Sequence, residues 1–393
     1  MKKTIEQIDV KNKRVLLRVD FNVPLDDEGN ITDDTRILAE MDTIKYLLNR
    51  GAKLIICSHL GRPDGKRNEK MSLVPVAKRL ISLLLNKVVF ASDILSDEAL
   101  EKANKLKSGQ ILLLENLRFY PGEEKNDPAF AKRLAEFADI YVNDAFGTAH
   151  RRHASTYGVA KLLPNAVGFL MGREINTISG VIDNPEKPFV LVAGGAKVSD
   201  KIYVIMNLLK KCDSILIGGG MAYTFLKAKG FNVGNSLVEE EKVSLAYNIL
   251  QEAERSGVNI YLPVDHMCAR NFSAVEKAKH IKGYDIPDGW QGLDIGPRTI
   301  KLYSKVLKNA RTAIWNGPMG VFEFKNFSKG TEKIANAVAK VKGKTIVGGG
   351  DSIAAIHLLK KEANIYHIST GGGASLKLLE GEILPGVDVI ENI

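Results

Sequence analysis

Short apolar runs alternate along this chain with stretches of helical character. In the first half the runs are Arg14–Asp20, Lys53–His59, Val88–Ser92, Ile111–Asn116 and Ile140–Asp144. In the second they are Phe189–Ala193, Ser214–Ile217, Asn259–Leu262, Thr312–Trp315, Thr345–Val347 and Ile365–Ile368. Most lack strict polar alternation, as expected of strands covered on both faces. Between them lie Asp33–Arg50, Leu73–Leu85, Pro128–Phe137, Lys201–Lys210, Glu239–Ser256, Thr299–Asn309 and Lys329–Lys340, read as helices. Asp33 and Asp34 place negative charge where a helix dipole favours it, and Gly51 suits the residue just past a helix end. Such alternation limits the architecture to mostly parallel sheets wound by helices. With 393 residues the chain exceeds one core, so two doubly wound α/β domains are expected. The switch falls near Pro164–Pro188, where breakers surround Glu174–Val181, read as a connecting helix.

The two halves end their runs differently. The first uses Asp, His and Arg, as in Arg18-Val19-Asp20-Phe21-Asn22 and Ser58-His59-Leu60-Gly61-Arg62. Arg36, Arg62, Arg118 and Arg151 each follow a run, and guanidinium forks match phosphate and carboxylate oxygens. A lone loop arginine is commonly a surface ion pair; their repetition beyond strand ends favours an anion site. His59 suits either a general base or a hydrogen-bond donor to substrate. Asp20 and Asn22 suit a substrate hydroxyl or the orientation of nearby arginines.

The second half ends its runs in glycines, which let phosphates approach backbone amides. In Gly194-Gly195-Ala196-Lys197-Val198-Ser199-Asp200-Lys201 the two lysines would share a helix face if a helix began there, inviting a bridging polyphosphate. Two solvated lysines are the alternative. The segment matches neither GxxxxGK[ST] nor GxGxxG. Asp351, after Gly348–Gly350, suits Mg²⁺ on a nucleotide, and Ser352 suits a phosphate contact or a helix cap. Gly371, Gly372 and Gly373 offer either an amide nest or a flexible turn. Glu323 suits ribose hydroxyls or a salt bridge.

The formal charge of +9 is compatible with anionic metabolites or nucleic acid. Much of the excess comes from lysines scattered along amphipathic stretches, which read as solvated faces, and no zinc-finger or RNA-binding signature is present. Cys57, Cys212 and Cys268 have no metal-ligand spacing and read as buried thiols of a reducing compartment. With no apolar signal core and no 18-residue apolar segment, a cytoplasmic location without membrane attachment is expected.

RVDFNVP at Arg18–Pro24, SHLGRP at Ser58–Pro63, LENLRF at Leu114–Phe119, NDAFGTAHRRHAS from Asn143, GGAKVSDK, GLDIGP from Gly292, WNGPMGVFE, GGGDS and STGGGASL stand in this order. The set resembles the phosphoglycerate kinase family over nearly the whole chain. The resemblance implies two Rossmann-like domains joined by a hinge helix. Residues 1–167 would bind phosphoglycerate, with 380–393 packing back on them; 168–187 would form the hinge, and 188–379 would bind nucleotide. It implies reversible phosphoryl transfer between 1,3-bisphosphoglycerate and ADP, giving 3-phosphoglycerate and ATP, in a monomer using Mg²⁺.

The acid substrate would meet Asp20, Asn22, Arg36, His59, Arg62, Arg118 and Arg151. The nucleotide would meet Lys197, Lys201, Gly292, Asn316, Glu323, Gly350, Asp351 and Ser352, with Asp351 also serving the metal. Arg36, Lys197 and Gly371–Gly373 would lie closest to the transferring group. Departures from the family pattern are Asp265-His266-Met267-Cys268, where valines usually follow the Asp, Lys377 for Glu, Ser352 for Thr and the extra Arg152 beside Arg151. The rivals are a nucleic-acid-binding or regulatory module on the same fold and a nicotinamide dehydrogenase.

Overall fold

A computed structural model describes residues 2–84 and 88–393. Met1 and Leu85, the expected last residue of one helix, lie outside the described residues. The chain divides into two compact units, Met1–Asn176 with Ile383–Ile393, and Thr177–Glu382.

The first unit is built on β1 (Arg14–Arg18), β2 (Lys53–Cys57), β3 (Val88–Ala91), β4 (Ile111–Leu114), β5 (Ile140–Asn143) and β6 (Asn165–Val167). These form one parallel sheet in the order β3-β4-β2-β1-β5-β6. Val15 stands opposite Leu54 on one side and Ile140 on the other, so β1 is central and needs apolar side chains on both faces. Val15, Leu17, Leu54, Ile56, Leu113 and Val142 supply one face and Leu16, Ile55, Leu112 and Tyr141 the other, all fully buried. Each such side chain contributes roughly 1.5–3 kcal/mol on leaving water. The same register sets Arg18 beside Cys57 and Asn143, which brings the loops after β1, β2 and β5 together.

The covering helices follow local chemistry. Pro128–Glu136 starts with Pro at its first turn, and Asp127 caps it by accepting from the Phe130 amide at 2.8 Å. The stretch read as one helix over Asp33–Arg50 is two, Thr35–Ala39 and Met41–Asn49, broken at Glu40. The buried Glu40 carboxylate accepts from the Asp20 amide at 3.0 Å, tying the break to the β1 strand end. Gly51 has φ +80° just past the second helix, the left-handed position expected for it. The C-terminal residues belong to this unit: Lys2 bridges Asn392, Lys3 pairs with Glu391 at 2.8 Å, and Asn143 Nδ2 donates to the Gly386 carbonyl at 3.1 Å.

The helix Phe169–Asp183 carries the chain into the second unit. There β7 (Phe189–Ala193), β8 (Ser214–Ile217) and β9 (Asn259–Tyr261) are followed by β10 (Asp265–Ala269), β11 (Lys279–Lys282) and β12 (Gln291–Ile295). Then come β13 (Thr312–Asn316), β14 (Lys344–Gly348) and β15 (His367–Ile368). The large sheet is parallel, in the order β15-β14-β13-β7-β8-β9. Its strand order reverses between β7 and β13, where doubly wound sheets open a ligand crevice. Val190, Val192, Leu216, Trp315 and Val347 form the core below it. The antiparallel trio β11-β10-β12 was not anticipated; Asp265-His266-Met267-Cys268-Ala269 has no apolar run to announce it. β6, only three residues long, was missed as well. Both units are thus doubly wound α/β folds with parallel main sheets. No described helix is long and apolar enough to cross a membrane.

Candidate active site

In the first unit, strand ends deliver side chains. β1 leads to Asp20 and Asn22, β2 to His59 and Arg62, β4 to Arg118, and the loops after β5 to Arg151. Arg36, on the helix that follows, donates to Asp20 Oδ2. Asn22 Oδ1 accepts from the Gly61 amide at 2.8 Å, and Arg118 Nη1 donates to the Gly61 carbonyl at 2.7 Å, so two expected binding residues hold one loop. His59 is 4% exposed. Burial foremost, then Arg18, Arg118, Arg151 and Arg36, push its pKa well below the usual histidine range. Several guanidinium groups acting on one imidazole mark a concentrated positive potential. Asp20 and Glu124 offset it only in part, through Arg36 and through Arg118 Nε at 3.0 Å. Arg62 is exposed, and Arg151 is half-buried with Nε on His150 Nε2 at 3.3 Å.

Sequence reasoning missed the residues behind this surface. Arg18, read only as part of a strand, is 1% exposed; its Nε donates to Ser155 Oγ at 2.9 Å and its Nη2 lies 3.2 Å from His59 Nδ1. The Ser155 amide and hydroxyl donate to the buried Glu123 carboxylate at 3.0 and 2.6 Å. Burial raises the Glu123 pKa, while Arg18 and Ser155 oppose the rise. An arginine inside the run RVLLRVD was the available signal: a guanidinium buried on a central strand requires partners. Glu123 and Ser155 come from distant segments and carry no local signal.

In the second unit the backbone does the corresponding work. Asn316 at the end of β13 stands beside Ala193 and Gly348, which places the glycine turns after β7, β13 and β14 side by side. The Gly194 amide donates to the Asn316 carbonyl at 3.0 Å and that of Gly195 to Pro318 at 2.9 Å. A Cβ at Gly194 would run into the Gly317 and Pro318 carbonyls, and Gly317 and Gly349 have φ of +97° and +88°. Only glycine permits backbones this close together. Gly350 opens the helix Gly350–Leu358 with open space where a side chain would be. Asn316 is 2% exposed and its Oδ1 has no hydrogen-bond partner among the described residues. Such a buried orphan at a crevice is a site where a ligand group fits.

Several expectations need correction. Lys197 and Lys201 do not share a helix face, because Ser199 is tied to Glu239 at 2.6 and 3.0 Å and the helix begins only at Ile202. Lys197 is exposed. Lys201 is partly buried, its pKa lowered by burial against the pull of Asp200, Asp351 and Glu380. Asp351 therefore lies within electrostatic range of Lys201. Ser352 is no cap: it lies inside its helix, and its hydroxyl accepts from the Gly317 amide at 2.7 Å. The Gly292 amide is taken by Ser236 Oγ at 2.9 Å, and its Cα lies against Tyr223, so it provides room rather than a donor. Glu323 and Asp351 are exposed. Gly371 donates to Ser369 Oγ at 3.3 Å, and Gly372, with φ +49°, precedes the helix Gly373–Leu379.

The family model described as phosphoglycerate kinase matches residues 5–382. The chain belongs to the phosphoglycerate kinase family. It is 56% identical over 386 residues to the phosphoglycerate kinase of Moorella thermoacetica, covering 98% of each chain. It is 54% identical over 395 residues to that of Thermosipho africanus, covering 100% of this chain and 98% of the relative. The solved phosphoglycerate kinase of Coxiella burnetii superposes with a TM-score of 0.92 at 41% identity, covering 99% of this chain and 98% of that one. That of Pyrococcus horikoshii gives 0.83 at 37%, covering 98% of both. Membership makes the chain a phosphotransferase and accounts for the doubly wound fold of both units.

The family departures have local explanations. Lys377 pairs with Glu380 at 2.8 Å and Glu382 at 2.7 Å, which raises its pKa. His266 is fully buried, and burial lowers its pKa to about 4 against the opposing pull of the Tyr284 backbone and Asp265. Arg152 lies over the Tyr157 ring at 5.1 Å, with Lys161 at 4.3 Å.

Proposed function

We propose that the enzyme transfers the 1-phosphoryl group of 1,3-bisphosphoglycerate to ADP, reversibly, giving 3-phosphoglycerate and ATP. The observation that carries this reading is the set of arginines acting on one buried, neutral His59, a charge pattern suited to a small phosphorylated acid. Asp20, Asn22, Arg36, His59, Arg62, Arg118 and Arg151 hold that acid. Lys197, Lys201, Gly292, Asn316, Glu323, Gly350, Asp351 and Ser352 hold the nucleotide. The orphaned Asn316 Oδ1 and the open space at Gly350 support the second assignment.

A β-phosphate oxygen of ADP forms the new bond to phosphorus while the bond to the carboxylate oxygen breaks, in line and without a phosphoenzyme. The departing carboxylate needs no proton at neutral pH, so no general acid or base is required. His59, kept neutral by its surroundings, donates a hydrogen bond instead. Arg36, Lys197 and the amides of Gly371–Gly373 stabilise charge on the equatorial oxygens. One exposed carboxylate, Asp351, fits Mg²⁺ carried mainly by nucleotide phosphates, where the ion would neutralise phosphate charge. Because each substrate has its own unit, transfer requires the units to close together, which also excludes water as an acceptor. The enzyme acts as a cytoplasmic monomer in this reading.

A coupled assay with 3-phosphoglycerate and Mg-ATP tests the reaction. Turnover with inversion at an isotopically chiral phosphorus is expected. Retention would overturn direct transfer, and absence of turnover would overturn the substrate assignment.

A further inference from the structure

The strongest unassigned feature is a chain of contacts behind His59. Its Nδ1 lies 3.2 Å from Arg18 Nη2 and 3.9 Å from Asp20 Oδ1. The first distance is a hydrogen bond and the second is too long for one. A guanidinium only donates, so Nδ1 must accept and cannot carry a proton. Arg18 has no freedom to turn away: Nε donates to Ser155 Oγ at 2.9 Å and Nη1 donates to the Val19 carbonyl. Ser155 in turn has its hydroxyl proton directed at Glu123 Oε1, 2.6 Å away, so a lone pair faces Arg18. The Ser155 amide donates to the other Glu123 oxygen at 3.0 Å and fixes the serine backbone. Arg18, Ser155 and Glu123 are each 1% exposed or less, so water does not compete at these links.

We propose that Glu123, Ser155 and Arg18 are positioning residues that lock His59 as the neutral tautomer with its only ring proton on Nε2. His59 Nε2 has no hydrogen-bond partner among the described residues, so that N–H remains available. The substrate atom it meets must then be an acceptor, a carboxylate or phosphate oxygen, and a donor presented there is rejected. The proposal rests on the reading that His59 contacts the acid substrate, and it adds why this histidine cannot serve as a base.

The test uses the full-length ¹⁵N-labelled enzyme without substrate. Long-range ¹H–¹⁵N correlations, assigned by loss of the signals in His59→Gln, report which ring nitrogen carries the proton. The wild type is expected to show the Nε2–H pattern. Ser155→Ala is expected to give mixed tautomers. It should also raise KM for 3-phosphoglycerate about fivefold, the effect of roughly 1 kcal/mol for one hydrogen bond. Its KM for ATP should move far less, and Ser155→Thr should restore both readouts. An Nδ1–H or imidazolium pattern in the wild type overturns the lock, whether or not any variant folds. So does a folded Ser155→Ala with unchanged spectrum and KM. An unchanged KM for 3-phosphoglycerate in His59→Gln instead overturns the substrate role of His59, while the wild-type spectrum still decides the tautomer.

Discussion

The two units use the same kind of parallel sheet and equip its carboxyl ends in opposite ways. In the first unit the proposed chemistry rests on long side chains, Arg36, His59 and Arg118 among them, with Glu40 and Glu123 buried behind them. In the second it would rest on backbone brought close by Gly194, Gly317 and Gly349, with a few side chains at the margins. Side chains with forked charges can grip a small rigid acid from several directions. Bare amides suit a phosphate tail, which needs many donors in little space. The first kind of site fails one substituent at a time; the second fails when the backbone can no longer pack.

That contrast can be broken at four points. Arg36→Ala and Lys197→Ala, one from each unit, should each lower kcat by about 10²–10³-fold with unchanged thermal melts. Loss in only one of them would show that the units do not share the transferring group. Gly194→Ala should destabilise the protein by about 3–4 kcal/mol in urea titration, because its methyl would meet two backbone carbonyls that have no room to retreat. A folded, stable variant would show that the close approach is dispensable.

His266→Val should reduce acid sensitivity. His266 titrates at about 4 in the fold against an ordinary 6.5, so the unfolded chain takes up the proton first and stability falls as pH drops through that interval. Removing the histidine should recover on the order of 2–3 kcal/mol at pH 4 relative to its effect at pH 7, read from denaturant midpoints. Equal effects at both pH values would reject the assignment. Gly350→Ala should change stability by less than about 1 kcal/mol while raising KM for ATP, since the added methyl meets open space. A large stability loss there would erase the distinction between packing and binding glycines.

Much of this was readable from the chain. Runs such as Lys53–Cys57 and Phe189–Ala193 are apolar on both faces because helices cover both, and that pattern is local. Arg36 and His59 stood out as candidates because they follow apolar runs, whereas Asn316 entered only through the family resemblance. The strand Asp265–Ala269 was not readable, since Asp265 and His266 are polar although buried, and its two antiparallel neighbours are distant in sequence. Glu123, Ser155 and Glu40 were invisible for a different reason. Their roles exist only through partners far away in sequence, as with Ser155 and Arg18, 137 residues apart. The break at Glu40 shows the same thing, a helix interrupted because a distant amide needs a carboxylate.

Because Ile383–Ile393 complete the first unit, the second is encoded as an insertion within it. During synthesis on the ribosome, Thr177–Glu382 emerge in full while the first unit still lacks its closing segment. The guanidinium site therefore belongs to a body finished last, although its residues are made first. A nascent chain stalled before Gly386 would leave Asn143 Nδ2 without its acceptor and the Lys2 bridge unmade.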